Sequence, residues 1–231
     1  MNNPFPKGEG IKTIVITGAT GALGNVTAKT FAEGGHNIAL LDRNQDKLDS
    51  LVSGLGLPSS RLYTQTIDLL DKQAVQDSAE AVLSKFGSVH ALIHLVGGWT
   101  GGRTIPESKT DDLESMLNQH VWTTFHLLRS FAPHMAASKW GRVIIVSKPE
   151  TVNPSAKTAL YTAAKSAQES LVLTLGEEYK ESRVTANVIH VKSIDINGAG
   201  KGTTPAEIAA AMTYLFSDNA NKINGARIPL Y

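Results

Sequence analysis

Short apolar runs alternate along the chain with longer segments whose apolar residues recur every three or four positions. Runs such as Ile14-Val15-Ile16 and Val143-Ile144-Ile145-Val146 carry no polar residue at alternate places, as strands buried on both faces require. The pattern predicts strands at 12–17, 37–42, 62–67, 89–96, 142–147, 183–190 and 226–229. Helices are predicted near 22–34, 44–54, 71–86, 111–138, 155–180 and 205–217, with Gly, Asn, Ser or Pro at most junctions. Strand and helix in strict alternation define an α/β chain with one doubly wound parallel sheet of seven strands and helices on both faces. The Gly-rich stretch 97–102 follows the fourth strand. It therefore lies at the carboxyl ends of the strands, the side on which open α/β sheets bind ligands.

Length and composition narrow the function. The 231 residues are 42% hydrophobic and 19% charged, which fits one globular domain over 11–231 after a polar, flexible leader at 1–10 broken by Pro4 and Pro6. Lys+Arg 22 against Asp+Glu 21 leaves a formal charge of +1, without the broad positive field of a nucleic-acid binder. The absence of cysteine excludes disulfides, thiolate nucleophiles, iron–sulfur ligation and Cys-based zinc. No apolar run approaches the ~18 residues of a spanning helix, and the opening residues lack the order of an export signal. The expected setting is cytoplasmic, away from membranes.

The strand at 12–17 runs into TGATGALG and then into an amphipathic helix. In that context a glycine pattern has a mechanism. Gly18 lets the chain leave the strand sharply, and Gly24 removes a side chain where the helix packs close and leaves room for a diphosphate. Backbone N–H groups at the helix start face the anion, helped by the helix dipole. The arrangement is Rossmann-like.

Together with Tyr161-x-x-x-Lys165, this segment resembles the short-chain dehydrogenase/reductases. The likeness extends over nearly the whole chain: Asp68-Leu69 after the third strand, a glycine pair after the fourth, Pro133-His134-Met135, and Asn224-Gly225-Ala226 with Ile228-Pro229. It implies NAD or NADP as cofactor, a small-molecule substrate, and a homodimer or homotetramer. The implied cofactor-binding residues are Gly18, Thr20, Ala22, Leu23, Gly24, Asp42, Arg43, Asp68, Leu69, Val96 and Gly97, with Tyr161 and Lys165. Asp42 ends the second strand about 20 residues beyond the glycine turn, where a carboxylate accepts the ribose hydroxyls of NAD and repels a 2′-phosphate. Arg43 follows, where NADP-preferring relatives place a guanidinium; it can also swing aside and cover the adenine face, or stay solvated. NAD is the favoured cofactor. Asp68 aligns with the family's adenine contact, with helix capping as its alternative role.

Tyr161 and Lys165 are four apart on a predicted helix and share one face. The resemblance implies that Tyr161 is the general acid/base and that Lys165 binds the nicotinamide ribose and lowers the phenol pKa. A shift of ~3 units toward neutrality needs ~4 kcal/mol of phenolate stabilisation from a nearby ammonium and the cofactor's positive ring. Other positions depart from the family pattern. Lys148 stands where the oxygen-orienting serine is usual, and Ser147 lies one place earlier. Neighbours on a strand point to opposite faces, so both enter the site only at a kink. An inward Lys148 would suit an anionic or enolisable substrate. His120 takes the place of the helix asparagine; it can relay protons, with a charge that changes near neutral pH. The usual NNAG is HLVG at 94–97, the usual Pro-Gly is Val191-Lys192, and the segment 195–204 is short for a substrate lid; the site is then open to solvent, or closed by a neighbouring chain or by the 97–102 loop with Trp99 as its lid.

His90 and His94 share parity on the fourth strand, but no carboxylate cluster joins them, and no metal is expected. Trp122, Phe125 and Leu128 read as a packing stripe, of the core or of a subunit face. The expected function is hydride transfer between a nicotinamide cofactor and a small carbonyl/alcohol or enone, with Tyr161, Lys165, Ser147, Lys148 and His120 as the catalytic set. The alternative is a dinucleotide-binding homologue impaired in catalysis, acting as a redox sensor or assembly subunit.

Overall fold

The computed structural model describes residues 10–231, so the expected leader, Gly10 apart, lies outside the described residues. Seven strands form one parallel sheet: β1 (Thr13–Thr17), β2 (Asn37–Asp42), β3 (Leu62–Thr66), β4 (Ala91–His94), β5 (Gly141–Ser147), β6 (Val184–His190) and β7 (Arg227–Pro229). Their spatial order is β3-β2-β1-β4-β5-β6-β7, with all pairs parallel. The helices are α1 (Ala22–Glu33), α2 (Gln45–Leu55), α3 (Lys72–Phe86), α4 (Thr110–Leu117), α5 (Thr123–Ala137), α6 (Ala159–Glu178) and α7 (Pro205–Phe216).

The central strands are apolar throughout because both faces are covered. Ile14 and Ile16 pack with α1, α2 and α7 residues such as Phe31 and Met212. Val15, between them in sequence, packs with α3, α5 and α6 residues such as Val82, Phe131 and Val172. Burying each such side chain contributes ~1.5–3 kcal/mol, which offsets the chain entropy lost on ordering. Helix boundaries follow the expected chemistry. Asn44 accepts from the Lys47 N–H at 2.9 Å to start α2, and Asp71 accepts from Gln73 and Ala74 to start α3. Gly87, in the left-handed region at φ 75°, stops α3.

Two expectations change here. The single long helix expected at 111–138 is three joined pieces, with a π turn at Asn118–Trp122 between α4 and α5; the extra residue in that turn accompanies His120, which is fully buried. β4 is four residues rather than eight. His90 precedes it and accepts from the Thr13 N–H through Nδ1 at 2.9 Å, with its ring against Trp140, so His90 and His94 do not share a site. Among the described residues no group of three His, Cys, Asp or Glu can hold a metal, and no helix is long and apolar enough to cross a membrane.

Sheet order reverses between β1 and β4, where connections leave toward opposite faces. Above this point the turn after β1 meets the exit of β4: a Cβ at Gly18, whose φ is 68°, would stand 2.9 Å from Leu95 C and Val96 N. Only glycine fits both the conformation and the space.

Candidate active site

A cleft of about 580 Å³ opens over this crevice and is bordered by the start of α1, the exit of β4, the end of β5 and the first turns of α6. Gly21 precedes α1 and supplies no side-chain cap, so the N–H groups of Ala22, Leu23 and Gly24 have no acceptor within the helix. With the dipole behind them they can hold a diphosphate. Gly24 sits at a close approach, as expected, and the partner is the turn itself. A Cβ there would sit 2.8 Å from Ala19 C and collide with the Gly18 carbonyl, so its bare backbone lets the helix close onto its own turn. Thr20 is tied into the same turn, where its N–H donates to Asp42 Oδ2 at 3.0 Å.

A neighbouring hollow of about 250 Å³ contains Asp42, Arg43, Asp68, Leu69, Val96 and Gly97. The Asp42 carboxylate also accepts from the Arg43 N–H at 2.8 Å, which fixes it at the rim. Asp68 accepts from the Leu70 N–H at 3.0 Å, while Asp71 caps α3; Asp68 thus shapes the turn and does not cap the helix. Arg43 is exposed.

Tyr161 and Lys165 lie one turn apart on α6, are 9% and 6% exposed, and both border the larger cleft. The Lys165 ammonium group donates to the Val146 carbonyl and to Gln168 Oε1, each at 2.8 Å. Burial lowers its pKa to about 8, against the pull of Glu169. The protein's own groups do not lower the phenol pKa. Burial first, then Glu150 and Glu169, raise the Tyr161 pKa above its ordinary value. In the protein by itself, the dehydrated site and two carboxylates outweigh any help from Lys165.

Ser147 has the same strand parity as Val143 and Ile145, whose side chains pack toward α5 and α6. Its hydroxyl is buried beside the Glu169 carboxylate, whose charge it favours, and it completes no hydrogen bond of good geometry among the described residues. Lys148 follows the strand end, and both residues border the cleft. The Lys148 amine lies 3.3 Å from Glu150 Oε1. Lys148 itself is extended, and the turn Pro149–Thr151 begins immediately after it.

His120 Nε2 donates to the Gly98 carbonyl at 3.0 Å. Its pKa is lowered to about 3 by burial and by Lys165, although the Gly98 bond opposes this. The expected charge change near neutral pH is therefore absent: this imidazole stays neutral. Nδ1 is left as a buried acceptor without a partner among the described residues. His94 bridges Thr17 and Thr123 through its two ring nitrogens at 2.6 and 3.3 Å.

The 97–102 loop is tied back by the Gly102 N–H to the Lys157 carbonyl at 2.8 Å, and Trp99, 59% exposed, borders the cleft. On the opposite rim the short 195–204 segment folds on itself, with Asp195 accepting from Ala199 and Gly200. Of the expected packing stripe, Leu128 is buried but Trp122 and Phe125 are 50% and 40% exposed. Gln168 and Glu169, both buried beside Lys165, escaped the sequence reading. Polar residues one turn beyond the Tyr-Lys pair on a buried helix face were the available signal.

A doubly wound sheet with an uncapped helix start at its switch point, next to a buried Tyr-Lys pair, defines a dinucleotide-fold oxidoreductase architecture. The chain belongs to the short-chain dehydrogenase family, whose model matches residues 12–204. It is 27% identical to meso-2,3-butanediol dehydrogenase of Serratia marcescens over 236 aligned positions, covering 95% of this chain and 92% of that one. Among solved structures it resembles an NAD⁺-bound xylitol dehydrogenase, with TM-score 0.85, 20% identity and coverage of 95% and 97%. It also resembles carveol dehydrogenase from Mycobacterium avium in complex with NAD, with TM-score 0.86, 17% identity and 95% coverage of each chain.

Proposed function

We propose that the protein is an NAD-dependent oxidoreductase that interconverts a carbonyl or enone with its reduced form on a small organic substrate. One observation carries the reading: Tyr161 and Lys165 border the same cleft as the uncapped start of α1. Ala22, Leu23 and Gly24 would hold the diphosphate, and Gly18, Val96 and Gly97 leave room along the crevice floor. Asp42 would take the adenosine ribose, beside Asp68, Leu69 and Arg43. NAD is favoured because Asp42 is fixed by backbone N–H groups and cannot turn away from a 2′-phosphate, whereas Arg43 is exposed and can; NADP is the weaker fit.

When bound, the nicotinamide supplies or takes up hydride. The chain supplies the rest. Tyr161 Oη gives a proton to the substrate oxygen during reduction and removes it during oxidation. Lys165 spends two of its three N–H donors on Val146 and Gln168, which leaves one for the nicotinamide ribose. Lys148 is the better placed orienting donor, since Ser147 is turned toward Glu169. His120, held neutral, offers Nδ1 as an acceptor beside the phenol rather than a titrating relay. Homo-oligomeric assembly belongs to the same reading, supported by the exposed Trp122 and Phe125. So does a cytoplasmic setting, which the cysteine-free sequence suits.

The second reading, a nucleotide-binding sensor or assembly subunit without turnover, is favoured by the raised pKa of Tyr161. Fluorescence titration with NADH and NADPH, followed by assay against a panel of carbonyl compounds, separates the two. The enzyme reading expects tighter NADH binding, oxidation of NADH with some panel member, and loss of that rate in Tyr161→Phe. Binding without turnover supports the sensor, and no binding of either nucleotide overturns both.

A further inference from the structure

Lys165 is buried almost completely, and a buried ammonium group is stable only if its donors are used and its charge is answered. Two neighbouring residues on α6 meet these needs separately. Gln168 is 1% exposed and accepts from Lys165 through Oε1 at 2.8 Å. Its Nε2 donates to Thr124 Oγ1 at 2.8 Å, and that hydroxyl in turn donates to the His120 carbonyl at 2.6 Å. Since the Thr124 proton is committed to His120, Thr124 can only accept from Gln168. The amide is thereby locked with its oxygen toward Lys165. With the Val146 carbonyl on another side, the remaining N–H of Lys165 is left for the cleft that it lines.

Glu169 is 0% exposed. Its carboxylate accepts from His190 Nε2 at 2.9 Å and Arg227 Nε at 2.6 Å, which fastens α6 to the ends of β6 and β7. Burial opposes the charge of Glu169, but these bonds, with the Ser147 and Thr151 hydroxyls nearby, outweigh it and keep the pKa at about 2. Glu169 lies four residues beyond Lys165 on α6, where side chains share one helix face, and its negative charge supports the ammonium form of Lys165 against burial. Neither Gln168 nor Glu169 borders the cleft, so neither is placed to touch substrate or cofactor.

We infer that Gln168 and Glu169 are positioning residues for Lys165, the amide aiming its ammonium group at the cleft and the buried carboxylate keeping that group charged. This rests on the proposed function only in taking Lys165 as the cation that meets the nucleotide. The charges around Lys165 support the assignment to Glu169. On α6 there is also Tyr161, and at the end of β4 and in the π turn stand His94 and His120, both lowered by burial to about 3 and neutral. Beyond β5, Lys148 and Glu150 pair with each other at 3.3 Å. From β6 and β7, His190 and Arg227 bond Glu169 itself, and the Arg227 side chain is 42% exposed.

The test is an NMR titration of the protein labelled with ¹³C in its lysine side chains, with the Lys165 signal assigned by its loss in Lys165→Met. The wild-type midpoint is expected at about 8. Glu169→Gln should lower it by about one pH unit, a ~10-fold change in proton affinity. Arg227→Met, which removes the cation that offsets Glu169, should raise it. A residue that merely holds the fold together does not produce shifts of opposite sign. If Glu169→Gln does not fold, the double variant Glu169→Gln with Arg227→Met, which removes both members of the ion pair, decides: a midpoint below that of Arg227→Met supports the inference and an equal one overturns it. For the amide, Gln168→Leu should weaken NADH binding ~10-fold, as the loss of one charge-assisted bond implies, and Gln168→Glu, which keeps an acceptor for Lys165 but loses the N–H that Thr124 receives, should restore only part of it. Equal NADH affinity in Gln168→Leu and wild type overturns the aiming role. Opposite midpoint shifts in a protein that binds no nucleotide would leave the charge assignment standing while the proposed function fails. Unmoved midpoints in a protein that binds NADH would do the reverse.

Discussion

The ring of His120 stands edge-on to that of Tyr161, with 5.4 Å between centroids and 87° between planes. Edge-to-face pairs of this kind contribute ~0.5–1.5 kcal/mol beyond burial, so the imidazole steadies the phenol whether or not it moves a proton. Because burial and Lys165 hold its pKa at about 3, it does not titrate in the range where the enzyme reading places catalysis. His120→Asn should lower kcat/KM by ~10-fold, the equivalent of ~1.4 kcal/mol, and leave both limbs of the pH–rate profile where they are. A limb near pH ~6.5 that disappears in the variant would show that this histidine does titrate.

Nucleotide choice turns on Asp42. A carboxylate and a phosphate ~4 Å apart repel by ~1–4 kcal/mol at the dielectric of a protein surface, so neutralising Asp42 should favour NADPH by ~10-fold or more. Asn is the better replacement than Ala, since the side chain also receives the Thr20 and Arg43 N–H groups that shape the turn. Parallel titrations of Asp42→Asn with NADH and NADPH check this; an unchanged affinity ratio would remove Asp42 from the account.

Gly24→Ala should damage the fold and the anion cradle together. The added methyl meets the Gly18 and Ala19 carbonyls, which are backbone and cannot rotate away, and forced overpacking costs ~1–3 kcal/mol. Urea unfolding should report a loss of that size, and NADH titration a weaker complex. By contrast, Gly35→Ala has open space around it but a φ of 89°, so its cost should come from backbone strain alone and leave nucleotide binding intact.

Acid should destabilise the protein well before its surface carboxylates titrate. Burial is the first cause that lowers His36 and His90 to about 4 and His94 and His120 to about 3. The unfolded chain takes up these protons near ~6.5. Folded pKa values below unfolded ones mean stability that is complete above ~6.5 and is lost as pH falls toward 4 and then 3, at ~1.4 kcal/mol per pH unit for each histidine that stays neutral. Glu169, held at about 2, adds the same sign below ~4.3, where an unfolded Glu protonates. Urea midpoints measured across this window should fall steadily, and His94→Gln should flatten the slope. A flat profile would show that these imidazoles are charged in the native state.

The alternation of apolar runs and helical periods made the sheet, its parallel sense and most helices legible, because a strand buried on both faces has few other residues to be made of. Gly18 was legible too, as the residue that lets the chain leave the strand sharply. The π turn at 118–122 was not: its apolar periodicity continues that of its neighbours, and only the packing of His120 against Gly97 and Tyr161 shows where the extra residue goes. Gly24 was legible as a point of close packing; that the close approach is made by the Gly18 and Ala19 backbone of its own turn was not, since periodicity does not report which backbone atoms approach a Cβ position.

Sequence alone determined the α/β class, the dinucleotide-type turn, the Tyr161–Lys165 pair on one helical face and the family likeness, all of which depend on neighbours within a turn or a strand. Tertiary structure decided the protonation of the site. The raised phenol of Tyr161, the neutral His120, the turn of Ser147 toward Glu169 and the locking of Lys165 by Gln168 arise from groups brought together across β4, β5, β6, β7 and α6. Burial and electrostatic fields are set by distance in space, and separation along the chain does not encode that distance.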